Sequence, residues 1–140
     1  MNLYQEVILD HYRNPIGARL QEKFNGQQHQ VNPICGDEIT VRALVEGGRI
    51  TRITHMCQGC SVSQASASVM VSLLQEIQVV EASKLIEQFV MMVVSKQPGD
   101  ETVLGDAVAF AGVGRYPARV NCALMPWKAL SKIIESEVWE

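Results

Sequence analysis

Two segments of the chain alternate apolar and polar residues with the period of a β-strand. Residues 39–45 place Ile, Val, Ala and Val at every second position, which is typical of a strand with one buried face. Residues 49–56 repeat the alternation less regularly. Gly47 and Gly48 lie between the two segments and suit a tight hairpin turn, because glycine tolerates positive φ. The pattern therefore predicts a β-hairpin.

The returning strand contains one irregularity. Ile50 and Ile53 are three positions apart, so a regular strand would place them on opposite faces. A polar segment near residues 28–32 offers a further strand. Together these segments predict a small antiparallel sheet in the first half of the chain.

Helical periodicity dominates the rest of the chain. Apolar residues recur at spacings of three and four after Cys60, and small residues make the first turns of that helix thin enough for another backbone to approach. Pro126 is assigned to the first turn of the last helix, where a missing N–H costs little. Five helices are predicted. The first runs from near residue 3 to Asn14-Pro15, and the second starts just after Cys60. The other three cover residues 80–94, 105–111 and 123–138. The fold class predicted from these elements is α+β, with a three-stranded antiparallel sheet packed against a cluster of helices.

Length and composition favour one domain covering residues 1–140. Apolar residues make up 47% of the chain and charged residues 19%, which is enough for a core. The formal net charge of −3 and the scattered basic residues argue against nucleic acid as a partner. No apolar run is long enough to span a membrane, and the N-terminus lacks the pattern of a signal peptide. We therefore expect a cytoplasmic protein, whose thiols stay reduced.

Four cysteines and one aspartate carry the candidate chemistry. Cys35, Cys60 and Cys122 supply three thiolates, and Asp37 supplies a carboxylate. Three thiolates and a carboxylate complete a tetrahedral set for a borderline metal such as zinc. Because carboxylate exchanges more readily than thiolate at a soft centre, such a site would be less inert than an all-cysteine one.

The local sequence suits this ligand set. Gly36 permits a sharp turn between Cys35 and Asp37. Cys60 and Cys122 are each predicted to begin a helix, where free N–H groups and the helix dipole favour a thiolate. One cysteine alone is more often a small core residue, but three beside loops or helix ends favour a metal site.

Two residues near the predicted ligands have open roles. Cys57, which forms a C-x-x-C pair with Cys60, could be half of a zinc knuckle, a redox partner or a buried thiol. A second pair at matching spacing is missing from the sequence, and so is a parallel α/β pattern. Arg119 precedes Cys122 by three residues and is either a surface arginine or a donor to a thiolate or persulfide at the site.

The order of these segments resembles the iron–sulfur cluster scaffold family, the IscU-like or NifU N-terminal fold. Four tracts carry the resemblance. The first runs from Leu3-Tyr4 to Asp10-His11-Tyr12-Arg13-Asn14-Pro15, and the second is Asn32-Pro33-Ile34-Cys35-Gly36-Asp37. The third is Gly59-Cys60-Ser61-Val62-Ser63-Gln64-Ala65-Ser66-Ala67-Ser68, and the fourth is Tyr116-Pro117-Ala118-Arg119-Val120-Asn121-Cys122-Ala123. The resemblance covers nearly the whole chain.

Within this family the chain is most similar to the SufU branch. Asn121 stands before Cys122, where the housekeeping scaffold branch typically has a histidine, and 61 residues separate Cys60 from Cys122. Cys57 and Pro126 depart from the family pattern. As a departure, Cys57 could form a disulfide with Cys60, be a fifth ligand or be a buried thiol; no essential role is predicted for it.

The resemblance implies a function and its partners. SufU-like proteins bind zinc through the three cysteines and the aspartate and take sulfur from a pyridoxal-phosphate cysteine desulfurase of the SufS type. We therefore expect a zinc-dependent sulfurtransferase, with Cys35 as the sulfur acceptor, that feeds downstream iron–sulfur assembly proteins. Two alternatives stay open: a scaffold on which a [2Fe–2S] cluster is assembled, and a structural zinc domain.

Overall fold

The computed structural model describes residues 3–34 and 36–136, and in it three strands form one antiparallel sheet in the order β1-β2-β3. The strands are β1 (Gly26–Val31), β2 (Glu38–Glu46) and β3 (Arg49–Gln58). The described helices are α1 (Leu3–Arg13), α2 (Ser61–Leu74), α3 (Val79–Ser95), α4 (Glu101–Leu104) and α5 (Pro117–Glu135), with a 3₁₀ helix at Gly105–Arg115. The predicted α+β class is confirmed.

The hairpin forms where the alternation predicts it. The four apolar residues at alternate positions of β2 are at most 4% exposed, and Gly47 and Gly48 both take positive φ in the turn. The irregularity in β3 has a structural cause. Val45 pairs with Ile50 but Leu44 pairs with Arg52, so a bulge takes up one residue of β3. Ile50 and Ile53 are consequently both fully buried, and the expectation of opposite faces was wrong.

The helix α2 occupies the centre of the molecule. Its small residues let neighbouring backbones approach, as predicted: Ser66 is fully buried and its hydroxyl donates to the carbonyl of Ala123 in α5 at 2.6 Å. The indole N–H of Trp127 donates to the same hydroxyl at 2.9 Å. The Trp127 ring in turn stacks on Phe89 of α3, with centroids 3.9 Å apart. These contacts fix α5 against α2 and α3.

The start of α5 differs from the prediction. The helix begins at Pro117, a favourable first position, rather than near Ala123. Cys122 therefore lies in the second turn of the helix and not at its start. Pro126 lies in the helix interior, where it has no N–H to donate to the carbonyl four residues earlier. The predicted end at Val138 falls outside the described residues.

The other helices agree better with the sequence. The helix α3 buries an apolar stripe that includes Ala82, Phe89 and Val93, and its observed bounds differ from residues 80–94 by one residue at each end. The helix α1 ends at Arg13, just before Asn14-Pro15. Between α1 and β1 the chain has no regular structure, and side-chain hydrogen bonds hold it to the sheet. The predicted short helix at residues 105–111 is a 3₁₀ helix that extends to Arg115.

Candidate metal centre

Asp37 lies immediately before β2 and points at the start of α2. It is 3% exposed. The backbone N–H of Cys60 donates to Oδ1 at 3.2 Å, and the hydroxyl of Ser63 donates to Oδ2 at 2.7 Å. Cys60, the N-cap residue of α2, makes no capping bond with its own side chain. The Asp37 carboxylate therefore satisfies the helix start from another part of the chain, where the helix dipole also favours a negative charge.

Gly59 makes room for this carboxylate. Its φ is +149°, which L side chains rarely adopt. A Cβ at this position would overlap Oδ1 and Cγ of Asp37. Glycine at residue 59 is thus required both by its own backbone and by the approach of the carboxylate.

Cys122 reaches the same place from α5. It is 1% exposed, and its sulfur lies 3.7 Å from the carbonyl oxygen of Ala118. The side-chain amide of Asn32 donates to its Sγ at 3.9 Å. Asn32 also shapes the loop before β2, because its Oδ1 accepts from the N–H of Ile34 and its own N–H donates to the carbonyl of Asp37. One buried asparagine therefore joins the loop to the thiol.

Three of the four predicted ligands come together. A carboxylate oxygen of Asp37 and the sulfurs of Cys60 and Cys122 all lie within 4.8 Å of one another. We call these three residues the Asp37 cluster. Two thiols and a carboxylate at this separation fit a borderline cation such as zinc. The fourth predicted ligand, Cys35, lies outside the described residues.

The carboxylate of the cluster is held in its charged form. Burial by itself would raise the pKa of Asp37. Hydrogen bonds from Ser63 and from the two cluster thiols, with the Cys60 backbone, outweigh burial and hold that pKa below its ordinary value. Asp37 is therefore a carboxylate at neutral pH, and a cation would meet a negative ligand.

Cys57 has a different environment. It is half-buried in β3 and packs against the hydrophobic core. Burial, together with the charges of Asp37 and Cys60, raises the pKa of Cys57 to about 12. Cys57 and Cys60 are both free thiols, so no disulfide joins them. This environment favours a protonated, buried thiol among the roles left open by the sequence.

The comparisons with known proteins agree with the fold. Residues 3–123 match the family described as NifU-like N terminal domain. The chain belongs to this family.

Individual members of the NifU-like family are similar over almost their whole length. The chain is 36% identical to the "Zinc-dependent sulfurtransferase SufU" of Bacillus subtilis (strain 168), over 96% of this chain and 91% of that protein. It is 31% identical to the "Iron-sulfur cluster assembly scaffold protein IscU" of Streptococcus pyogenes serotype M1, over 96% and 84% of the two chains. The crystal structure of a putative iron–sulfur cluster assembly scaffold protein for the SUF system from Fervidobacterium islandicum AW-1 superposes with a TM-score of 0.86 at 32% identity, covering 93% and 95% of the chains. The resemblance inferred from the motifs is confirmed.

Arg119 lies on the first turns of α5, one turn before Cys122. It is exposed, and among the described residues its side chain has no ion pair or hydrogen bond. Its proposed role as a donor at the site stays a prediction. Within residues 3–34 and 36–136, no helix is both long and apolar enough to cross a membrane.

Sequence reasoning did not identify three residues that build the site. Ser63, Gly59 and Asn32 each contact a predicted ligand. Gly59 offered a partial signal, since a glycine just before a candidate ligand often marks a close approach of another group. Ser63 and Asn32 offered none, because their partners are 26 and 90 residues away in the sequence.

Proposed function

We propose that this member of the NifU-like family is a zinc-dependent sulfurtransferase in iron–sulfur cluster assembly. The observation that carries the proposal is the Asp37 cluster, which joins two thiols and an ionised carboxylate within 4.8 Å. The resemblance to a zinc-dependent sulfurtransferase over 96% of the chain supports the same function. The sulfur donor would be a pyridoxal-phosphate cysteine desulfurase of the SufS type, and the recipients would be downstream assembly proteins.

The proposed ligands are Cys35, Asp37, Cys60 and Cys122. Zinc, when bound, would lower the pKa of a ligating thiol and so keep it ready as a thiolate near neutral pH. Three of these ligands are attached to regular elements, whereas Cys35 sits beside Gly36, whose φ is +76°. Cys35 is therefore our candidate for the thiol that leaves the ligand set and reacts.

The proposed transfer is a thiol–persulfide exchange. The thiolate of Cys35 attacks the outer sulfur of the persulfide on the desulfurase and forms a new S–S bond. The bond between that sulfur and the desulfurase cysteine breaks, and its electron pair stays on the leaving thiolate. Arg119 would donate hydrogen bonds to the persulfide formed on Cys35. Asp37 keeps Cys60 at the start of α2 throughout, through its bond from the Cys60 N–H.

The test is desulfurase turnover in the presence of variants of this protein. We expect the wild-type chain to stimulate sulfide release and Cys35→Ser to abolish the stimulation. Cys57→Ser is the matched control, because it makes the same change at a half-buried thiol outside the proposed ligand set. Unchanged stimulation by Cys35→Ser would end the proposal. Stimulation lost equally in both variants would also contradict it.

A second function has specific support. The chain is 31% identical to a protein named as an iron–sulfur cluster assembly scaffold, and the carboxylate in the ligand set would ease ligand exchange. The same residues would then carry a [2Fe–2S] cluster as cargo. Anaerobic reconstitution with iron and sulfide separates the two functions. A stable cluster that passes to an acceptor favours the scaffold, while zinc that resists replacement by iron favours the sulfurtransferase.

A further inference from the structure

A groove lined by arginine lies along β3, away from the Asp37 cluster. Two cavities of about 480 and 340 Å³ adjoin here, and Arg19 and Arg52 line both. Lys23 lines the larger cavity and Thr51 the smaller. We call the two cavities together the arginine groove. They are bounded by β3, by the irregular segment between α1 and β1, and by the C-terminal part of α2.

The basic groups of the groove lack partners among the residues that the structure describes. Across residues 3–34 and 36–136, the side chains of Arg19, Lys23 and Arg52 make no ion pair and no hydrogen bond. Arg42, on the same face of the sheet, does have partners within the protein. Its guanidinium lies 4.3 Å from the centroid of the Phe24 ring and donates to the carbonyl of Gln21 at 2.9 Å. Arg42 therefore holds the segment in place, while the other three cations stay available.

The backbone that carries Arg19 is fixed against the sheet. The ring of His55 bonds to the carbonyl of Ile16 at 2.9 Å, and the N–H of Gln21 donates to the hydroxyl of Thr54 at 3.1 Å. Gly17 adopts φ +74°, and a Cβ there would approach the carbonyl oxygen of Ile53 to 3.1 Å. Anchors on both sides of Arg19 thus hold its backbone beside β3. Arg52 itself belongs to β3, so both arginines have ordered main chains.

The charge of the groove is opposite to that of the protein. The chain carries a formal net charge of −3, yet three cations and one anion, Glu22, line these cavities. Neither guanidinium has an ion pair among the described residues, so the two like charges that line the same cavities repel one another. An incoming anion would relieve the repulsion, and guanidinium groups bind carboxylates and phosphates through paired hydrogen bonds.

We propose that the arginine groove binds an acidic, extended segment of a partner protein. Glu22 would repel a compact polyphosphate that filled the larger cavity. An extended chain can place its carboxylates at Arg19 and Arg52 and pass Glu22 with a neutral residue. Arg52 precedes Gln58, the end of β3, by six residues, so the groove lies about 20 Å from the Asp37 cluster along the strand. A partner held here would leave the cluster accessible.

The test is binding of a fluorescent synthetic peptide of alternating glutamate and glycine to the full chain. Fluorescence anisotropy would be measured for the wild type, for Arg19→Glu/Arg52→Glu and for Lys84→Glu/Arg115→Glu. The last variant is the matched control, because it reverses two exposed cations outside the groove and changes the net charge equally. We expect about tenfold weaker binding in the groove variant and less than about twofold in the control. Raising NaCl from about 50 to about 300 mM should weaken wild-type binding.

Each other outcome overturns the proposal. Equal weakening in both variants would mean that only net charge matters, and no wild-type binding would mean that the groove does not take acidic chains. If inorganic phosphate competes as strongly as the unlabelled peptide at equal molar concentration, the ligand of the groove is a small anion and not an extended segment. Thermal unfolding of each variant controls for folding. If the groove variant is unfolded, Arg19→Gln/Arg52→Gln carries the same test.

Discussion

The contact between Gly59 and Asp37 makes the site sensitive to one methyl group. In Gly59→Ala the added Cβ would overlap the Asp37 carboxylate, and φ of +149° would be strained for alanine. A backbone held in such a region costs about 1–3 kcal/mol. Each hydrogen bond to a charged group contributes about 1.5–3 kcal/mol, and to move away the carboxylate must give up at least the bond from the Cys60 N–H or the bond from the Ser63 hydroxyl. We expect the free energy of unfolding to fall by about 3 kcal/mol.

The same substitution should weaken metal binding. Displacing Asp37 removes one of the converging ligands and loosens the start of α2, where Cys60 lies. Loss of a supporting contact at a metal site typically lowers affinity by about 10–100-fold. The assay is zinc competition with a chromophoric chelator, accompanied by thermal unfolding. A loss of about 3 kcal/mol should lower the melting temperature by about 10 °C in a chain of this length.

Gly112→Ala is the control for Gly59→Ala. Gly112 is exposed, and an added Cβ there meets nothing within 4 Å. It should change the melting temperature and the zinc affinity little. If Gly59→Ala binds zinc within about twofold of the wild type, the carboxylate is not held as the structure indicates, and the reasoning fails.

Three further outcomes can be checked on the purified protein. Because the pKa of Asp37 is lowered in the folded state, its charge stabilises the metal-free protein at pH values above the ordinary pKa of 3.8. This stabilisation is lost as the pH falls through the folded pKa. Acid unfolding should therefore be less steep in Asp37→Asn, and identical curves for the two proteins would contradict this. Cys57→Ala should keep one metal per chain by elemental analysis, and Cys57 should resist iodoacetamide at neutral pH because its pKa is about 12. Ser66→Ala leaves the Trp127 indole N–H without its acceptor and should cost about 1–3 kcal/mol in urea unfolding; a loss below about 0.5 kcal/mol would count against that bond.

The sequence predicted the elements whose signals are local. Alternation predicted β2 and its hairpin partner, and the 3.6-residue period predicted α3 to within one residue at each end. The bulge opposite Leu44 was not predictable, because the odd spacing of Ile50 and Ile53 fits either an irregular strand or a bulge until the partner strand is known. The start of α5 was misplaced because two prolines, Pro117 and Pro126, both suit a first turn, and only tertiary packing selects between them.

The candidate ligands were predictable because their chemistry is distinctive, whereas their supports were not. Thiols and a carboxylate beside loops indicate a metal without any knowledge of distance. A serine or an asparagine gives no comparable signal, since its role depends on the group it meets after folding. Ser63 acquires its role only when α2 meets the loop before β2, and Asn32 only when that loop meets Cys122 of α5. Their functions follow from tertiary structure alone.

The hydrogen bonds of Asp37 suggest how the site keeps its shape before a cation binds. A carboxylate has about four lone-pair positions, and the Cys60 N–H and the Ser63 hydroxyl use one on each oxygen. The positions that accept from the Cys60 and Cys122 thiols are freed when these thiols lose their protons to a cation. Lone pairs therefore remain for a cation while α2 stays capped. The position of α5, and with it Cys122, is fixed separately through the Ser66 hydroxyl. Since these hydrogen bonds tie the three ligand-bearing segments to the rest of the fold, chelation should leave the fold intact, unlike a small zinc domain that unfolds without its metal. A cation could then be exchanged without unfolding the protein. The proposed sulfur transfer requires this, because one thiol leaves the ligand set during the reaction.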